Sequence, residues 1–246
     1  MTPRPGTARI GTSGWSYDHW DAIFYPEHMP DGERLAFYAS RFSTVEIDAT
    51  FYRLPTEAAV ARWAATVPDD FRFAVKGSRL ITHYRRLVGV NEALSAFMQR
   101  VSLLGEKLAV VLWQLPPTMQ CDLGVLGEFL ARLPSGAVRH AVEFRHESWL
   151  ADPTFELLRE RGVAVVHVSS DAIRTDLTPT ADFVYARFHG TATYHGAYER
   201  PTLEAWRRFI GEQLAEGRDC YAYFNNDAEG HAPADAARLV GMLGGT

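Results

Sequence analysis

Val142-Glu143-Phe144-Arg145-His146-Glu147-Ser148-Trp149 reads as a buried strand that ends in a run of chemically active side chains. Side chains alternate between the two faces of a strand, so Val142 and Phe144 share one face while Glu143 and Arg145 share the other. Two opposite charges therefore sit where a strand covered on both sides is ordinarily apolar. An isolated ion inside a protein is costly unless it is paired or solvated. This strand has to open, at its C-terminal end, into a polar cavity or an internal charge network.

The rest of the chain repeats that pattern. Strand signals at about 8–12, 44–50, 71–75, 108–115, 163–169, 183–189 and 220–225 alternate with helical spacing at about 33–42, 56–66, 91–104, 123–133, 202–216 and 233–243. A further helix is predicted with Asp152 as its cap and Pro153 at its first position, ending near Gly162. Polar residues stand at the strand ends: Ser13, Asp48, Lys76, Gln114, Glu143 with Arg145, His167, Arg187 with His189, and Asn225. About eight alternations over 246 residues give the size and rhythm of an α/β fold of the (β/α)8 TIM-type barrel. Active sites of such barrels are built at those strand ends. An open doubly wound sheet is the alternative, but Gly-x-Gly-x-x-Gly is missing after the first strand signal. No repeat or Pro/Gly-rich linker divides the chain, so a single barrel domain over 1–246 is expected.

Composition narrows the function classes. An apolar fraction of 47% and a charged fraction of 22% belong to a globular protein rather than a fibre or a disordered tail. A net charge of −5 argues against a surface that wraps a polyanion, although Arg79, Arg85 and Arg86 mark a local basic groove. A nucleic-acid partner is therefore secondary to a small-molecule substrate. Cys121 and Cys220 fit no zinc or Cys-x-x-Cys spacing. The start of the chain has no apolar signal core, and no apolar run is long enough for a membrane. The expectation is a reduced, cytoplasmic protein with no membrane contact.

Six motifs then stand in order: Gly11-Thr12-Ser13-Gly14-Trp15, Glu46-Ile47-Asp48-Ala49-Thr50-Phe51-Tyr52, Gln114-Leu115-Pro116-Pro117, Glu143 to Trp149, Arg187-Phe188-His189-Gly190 and Phe224-Asn225-Asn226-Asp227. Together they resemble the YecE-like family, also called domain of unknown function 72, over essentially the whole chain. The resemblance implies a TIM barrel and supplies no established reaction. Asp48 departs from the family pattern, which has asparagine at that place.

Glu143 and Arg145 would lie roughly 6–7 Å apart at their α-carbons. At an effective dielectric near 20 their attraction is about 2–3 kcal/mol, enough to favour an ionised Glu143. That suits a base, a metal ligand or an electrostatic anchor, or else a salt bridge that only holds the barrel mouth. Glu46 and Asp48 are read as like charges on one face, which raises one carboxyl toward proton donation; otherwise Glu46 is a capped or arginine-paired carboxylate deep in the barrel. Glu46, Asp48, Glu143, His146, His189 and Asp227 offer donors for a divalent Mg, Mn or Zn ion, with no fixed ligand spacing.

Lys76, Arg145 and Arg187 approach from three strands and would either hold an anion such as phosphate or carboxylate, or neutralise the acids. His189, beside Gly190, is the better acid/base candidate; His167 within an apolar strand reads as a core residue, and His83 as a loop residue. Trp15, Trp20, Phe51, Tyr52, Trp113, Trp149, Tyr194 and Tyr198 fall at strand ends or after them, and about half are expected to line a cavity where a sugar or nucleobase would stack. No Ser/His/Asp order or nucleophile elbow is present. The chain thus reads as an enzyme using Glu143 as base or metal anchor, Asp48, His189 or Glu46 for proton transfer, and Lys76, Arg145, Arg187, Asn225, Trp15, Tyr52, Trp149 and Gln114 to bind a small polar anion such as a sugar phosphate or nucleotide fragment. Hydrolase, isomerase and lyase chemistry all stay open. The alternative is a non-catalytic module that holds single-stranded nucleic acid or a metabolite at the barrel mouth. A third reading is a scaffold with a partner on its helical exterior.

Overall fold

A computed structural model describes residues 4–136, 138–169, 178–190 and 195–244. Eight strands are present: β1 (Ala8–Thr12), β2 (Thr44–Ile47), β3 (Arg72–Lys76), β4 (Leu108–Gln114), β5 (Arg139–Glu143), β6 (Ala164–Ser169), β7 (Phe183–Phe188) and β8 (Asp219–Phe224). They form one sheet in the order β1-β8-β7-β6-β5-β4-β3-β2, and the paired strands run parallel. That is the circular strand order of a (β/α)8 TIM-type barrel. A parallel bridge between Ser13 and Glu46 joins the ends of β1 and β2. Gly11 permits their approach, because a Cβ there would lie 2.3 Å from the Thr44 carbonyl oxygen and 2.7 Å from the Tyr38 hydroxyl.

The α-helices are α1 (Asp31–Ala39), α2 (Ala49–Tyr52), α3 (Glu57–Thr66), α4 (Asn91–Val101), α5 (Leu123–Leu130), α6 (Asp152–Glu160), α7 (Arg200–Ala215) and α8 (His231–Met242). Among the described residues, the connection from β6 to β7 carries no helix. Local chemistry sets several starts. Thr56 Oγ1 accepts from the Ala59 amide at 3.2 Å, and Asp122 Oδ1 from the Val125 amide at 2.9 Å; each such cap stabilises its helix by about 1 kcal/mol. The expected cap at Asp152 is corrected by one residue: Ala151 is the N-cap and makes no side-chain bond, Asp152 is already helical, and Pro153 occupies the second position. Pro153 has no amide proton to donate, which costs nothing in the first turn, where amides have no partner within the helix.

Contacts divide the chain into two compact units. The first comprises Met1–Glu46, His167–Thr178 and Asp182–Thr246, the second Ile47–Val166 and Pro179–Ala181. The first has Tyr185 and Tyr223 in its interior, their rings 5.3 Å apart, and Phe188 stacked on Phe224 at 4.2 Å. Tyr17, Trp20, Phe24 and Tyr25 pack with Phe37, Tyr38 and Phe42 in the same unit. The second is centred on Trp113, which packs against Phe97 of α4 and Phe129 of α5.

Trp113 also donates its indole N–H to His140 Nδ1 at 3.3 Å, and His140 Nε2 lies 3.2 Å from the Pro134 carbonyl oxygen. These partners define a neutral imidazole that donates from Nε2 and accepts at Nδ1. Burial pushes its pKa from 6.5 down to about 4. Between those values the unfolded chain binds the proton and the folded chain does not, so stability falls as pH drops through this window. Urea melts at pH 7 and pH 4.5 should show wild type losing about 2 kcal/mol more than His140→Gln. Equal losses would remove His140 as a source of acid sensitivity.

Candidate functional site

Two clusters of chemistry sit at strand ends, one in each unit. In the first unit, alternation along β7 aims Tyr185 and Arg187 the same way, and both reach Glu46 of β2. The Tyr185 hydroxyl donates to Glu46 Oε2 at 2.6 Å, while Arg187 Nη2 and the Ser13 hydroxyl donate to Oε1 at 2.7 and 2.6 Å. Glu46 and Arg187 are at most 1% exposed. A carboxylate that accepts from three donors is held in its ionised form. Below it, the Tyr223 hydroxyl lies 2.7 Å from Thr44 Oγ1, and burial raises the pKa of both Tyr185 and Tyr223 well above the usual phenol range.

This corrects the pairing of Glu46 with Asp48. β2 ends at Ile47, and Asp48 takes a helical backbone (φ −92°, ψ −19°) as N-cap of α2, so strand alternation stops before it reaches that residue. Glu46 answers instead to a guanidinium and two hydroxyls. His189 follows β7, buried, with its amide on the Ser169 carbonyl at 3.0 Å and Nδ1 3.3 Å from Asn225 Nδ2. The next asparagine, Asn226, is structural: its amide nitrogen reaches the Gly196 carbonyl and Asp235 Oδ2, both at 2.9 Å. Asp227 is half-buried, which raises its carboxyl pKa.

In the second unit, β4 and β5 place Gln114 opposite Glu143, and β3 and β4 place Lys76 opposite Leu112. Since Leu112 and Gln114 are two apart, Lys76, Gln114 and Glu143 share one face of the sheet. Glu143 is fully buried, and Arg145, 18% exposed, folds back so that its Nε donates to Glu143 Oε1. Lys76 Nζ lies 4.4 Å from the centre of the Phe51 ring. Thr50 Oγ1 donates to the Lys76 carbonyl at 2.6 Å, which ties α2 to the end of β3.

His83 joins this cluster, and sequence reasoning had placed it only in a loop. It lies in a π-helical turn, Leu80–Tyr84, with its ring edge-on to Phe51 at 4.9 Å. Burial, then the nearby Lys76 charge, lowers its pKa and keeps the imidazole neutral near pH 7. Thr82 Oγ1 donates to the Ser78 carbonyl and lies 2.9 Å from His83 Nδ1. The Thr82 hydroxyl has one proton for these two acceptors, so whether it donates to His83 Nδ1 or accepts from it follows the imidazole tautomer. The Phe51 and Lys76 contacts were not visible in the sequence.

Several expected binding residues turn out to be packing. Trp149 is fully buried, stacked on Phe144 at 4.9 Å, and donates its indole N–H to the Met119 carbonyl at 2.7 Å. His146 accepts from the Ser148 amide at 3.2 Å and so caps the turn that seats that tryptophan. Trp20, Trp113 and Tyr198 are likewise core, whereas Trp15 and Phe51 are half-buried and Tyr52 is exposed; Tyr194 lies outside the described residues. His167 is buried edge-on against Phe209 of α7 at 5.4 Å. Among the described residues no three His, Cys, Asp or Glu side chains group as a metal site. The six expected donors therefore do not assemble into one; Glu46 and Glu143 spend oxygens on arginine instead. Both cysteines are free, and burial pushes the Cys220 thiol up to about 12. No helix among the described residues is long and apolar enough to cross a membrane.

Comparison with known proteins places these features in a family. The model described as "Protein of unknown function DUF72" matches residues 9–246. UPF0759 protein YunF of Bacillus subtilis is 27% identical over 267 residues, covering 95% of this chain and 94% of that protein. UPF0759 protein YecE of Escherichia coli is 32% identical over 155 residues, 63% of this chain and 54% of that protein. The crystal structure of a DUF72 family protein from Thermotoga maritima superposes with a TM-score of 0.87 at 28% identity, covering 96% of this chain and 99% of that one.

Proposed function

The chain belongs to the DUF72 family, and from that premise we propose that it is an enzyme performing acid/base chemistry on a small polar anion such as a sugar phosphate or nucleotide fragment. The TIM-type fold is one that enzymes use widely, with their sites at the C-terminal strand ends. The observation that carries the reading is Glu143: a buried carboxylate at the end of β5, held by Arg145 and sharing its face with Lys76 and Gln114. Burying that charge is costly, and packing alone gives no reason to keep it.

In this reading Glu143 is the base, Arg145 and Lys76 neutralise the anion, and Gln114 orients it. His83, or Asp48 at the start of α2, moves the second proton. Hydrolysis, isomerisation and elimination all use such a set. The proposal takes residues 1–246 as one domain, so the protein melts in a single transition. Inorganic phosphate at ten to a hundred times its Kd should raise that melting point by a few degrees. The shift should vanish in Lys76→Ala with Arg145→Ala. An equal shift in that variant, or none in wild type, would sink the anion site.

A further inference from the structure

We propose that a second surface, formed by Tyr52, Arg53, Arg79, Tyr84, Arg85 and Arg86 in the second unit, binds single-stranded nucleic acid. It starts from a local charge anomaly. The chain carries a net −5, yet residues 71–91 contain Arg72, Lys76, Arg79, Arg85 and Arg86 and no acidic residue. Among the described residues no carboxylate lies within 4.0 Å of Arg53, Arg79, Arg85 or Arg86. Four guanidinium groups are thus left for an external anion.

Aromatic rings stand among those charges. The Arg79 guanidinium sits 5.5 Å from the centres of both the Tyr52 and Tyr84 rings. Tyr52 and Tyr84 are 64% and 66% exposed, so each offers ring surface to solvent while Arg79 fixes its position. Pre-set rings of this kind lose little freedom when a ligand stacks on them. Planar bases stack on tyrosine, and arginines take the phosphates between them. A duplex hides its base faces, so the fitting ligand is a single strand. An acidic protein would use the arginines but would leave the rings without a purpose.

The backbone holds this display in place from beneath. Ile81, Thr82 and Leu87 are buried, and the Leu87 amide donates to the Ile81 carbonyl at 3.0 Å. Arg86 and Leu87 take φ of 46° and 69°, a region that such side chains seldom occupy. Strain of this kind persists where surrounding contacts enforce it, and Tyr84, Arg85 and Arg86 are all exposed beside it. Arg86 Nη2 also donates to Thr118 Oγ1 at 3.2 Å.

The test is fluorescence anisotropy of the full chain with a labelled fifteen-nucleotide thymidine oligomer, an abasic oligomer of the same length, and an acidic peptide as competitor. Saturable binding is expected, with a log Kd against log salt slope of about 2–3 for three or four phosphates neutralised on a single strand. Tyr52→Ala with Tyr84→Ala should weaken the thymidine oligomer at least tenfold at an unchanged melting temperature, and should leave the abasic oligomer unaffected. Failure to saturate at low salt would overturn the proposal. So would equal affinity for the two oligomers, which would mean plain attraction of a polyanion, or tighter binding of the peptide, which would mark a protein-docking face.

Discussion

Arg187→Met is expected to lower the unfolding free energy by roughly 3–5 kcal/mol, a fall of about 6–20 °C in melting temperature for a chain of this length. Methionine replaces the aliphatic stem of the arginine but leaves the fully buried Glu46 carboxylate without the guanidinium that neutralises it. The Ser13 and Tyr185 hydroxyls still donate to it, yet neither carries a charge. Pairing the change with Glu46→Gln removes both ions together and should recover about half of the loss. Urea melts of wild type, both single variants and the double variant give the coupling. Single losses below about 1 kcal/mol, or losses that simply add, would show that this network contributes little to stability.

Glu143→Gln is expected to reduce turnover about 100-fold or more while the fold is kept. The amide has the shape of the carboxylate, and its oxygen still accepts from Arg145, so packing around β5 is preserved. It cannot take a proton. Turnover is to be followed by nuclear magnetic resonance over a panel of sugar phosphates and nucleotides, with melting temperature as the control for folding. A Gln variant as active as wild type on any substrate the wild type converts would remove Glu143 as the base.

Much of the architecture was legible because it rests on local rules. Alternation along β7 brought Tyr185 and Arg187 to one side, from which both reach Glu46; Glu143 and Arg145 meet as expected, although Arg145 lies past the end of β5 and folds back to do so. What could not be read was the target. Tyr185 and Arg187 converge on Glu46, 139 and 141 residues away in sequence, and no periodicity encodes that partner. The strand-face pairing of Asp48 with Glu46 failed for a related reason: alternation was carried one residue past the end of β2, where the backbone turns helical.

The aromatic residues show the limit from another side. Trp113 and Trp149 both stand near strand ends, but one faces Phe97 and Phe129 of the helix layer and the other stacks on Phe144. Only the parity of Trp113, opposite to that of Gln114, marked it as outward. Asn225 and Asn226 look alike in the sequence, yet the first lies beside His189 and the second fastens Gly196 and Asp235. His83 was undervalued because its neighbours, Phe51 and Lys76, come from different elements.

The account stands or falls on whether Lys76 and Arg145, at the ends of β3 and β5, hold an anion. A crystal grown without phosphate or sulfate and then transferred into phosphate would answer this directly. Tetrahedral density contacting Lys76 and Arg145 beside Glu143 is the predicted result. Density found only elsewhere on the protein, with Lys76 and Arg145 unmoved and engaged solely with side chains, would contradict it.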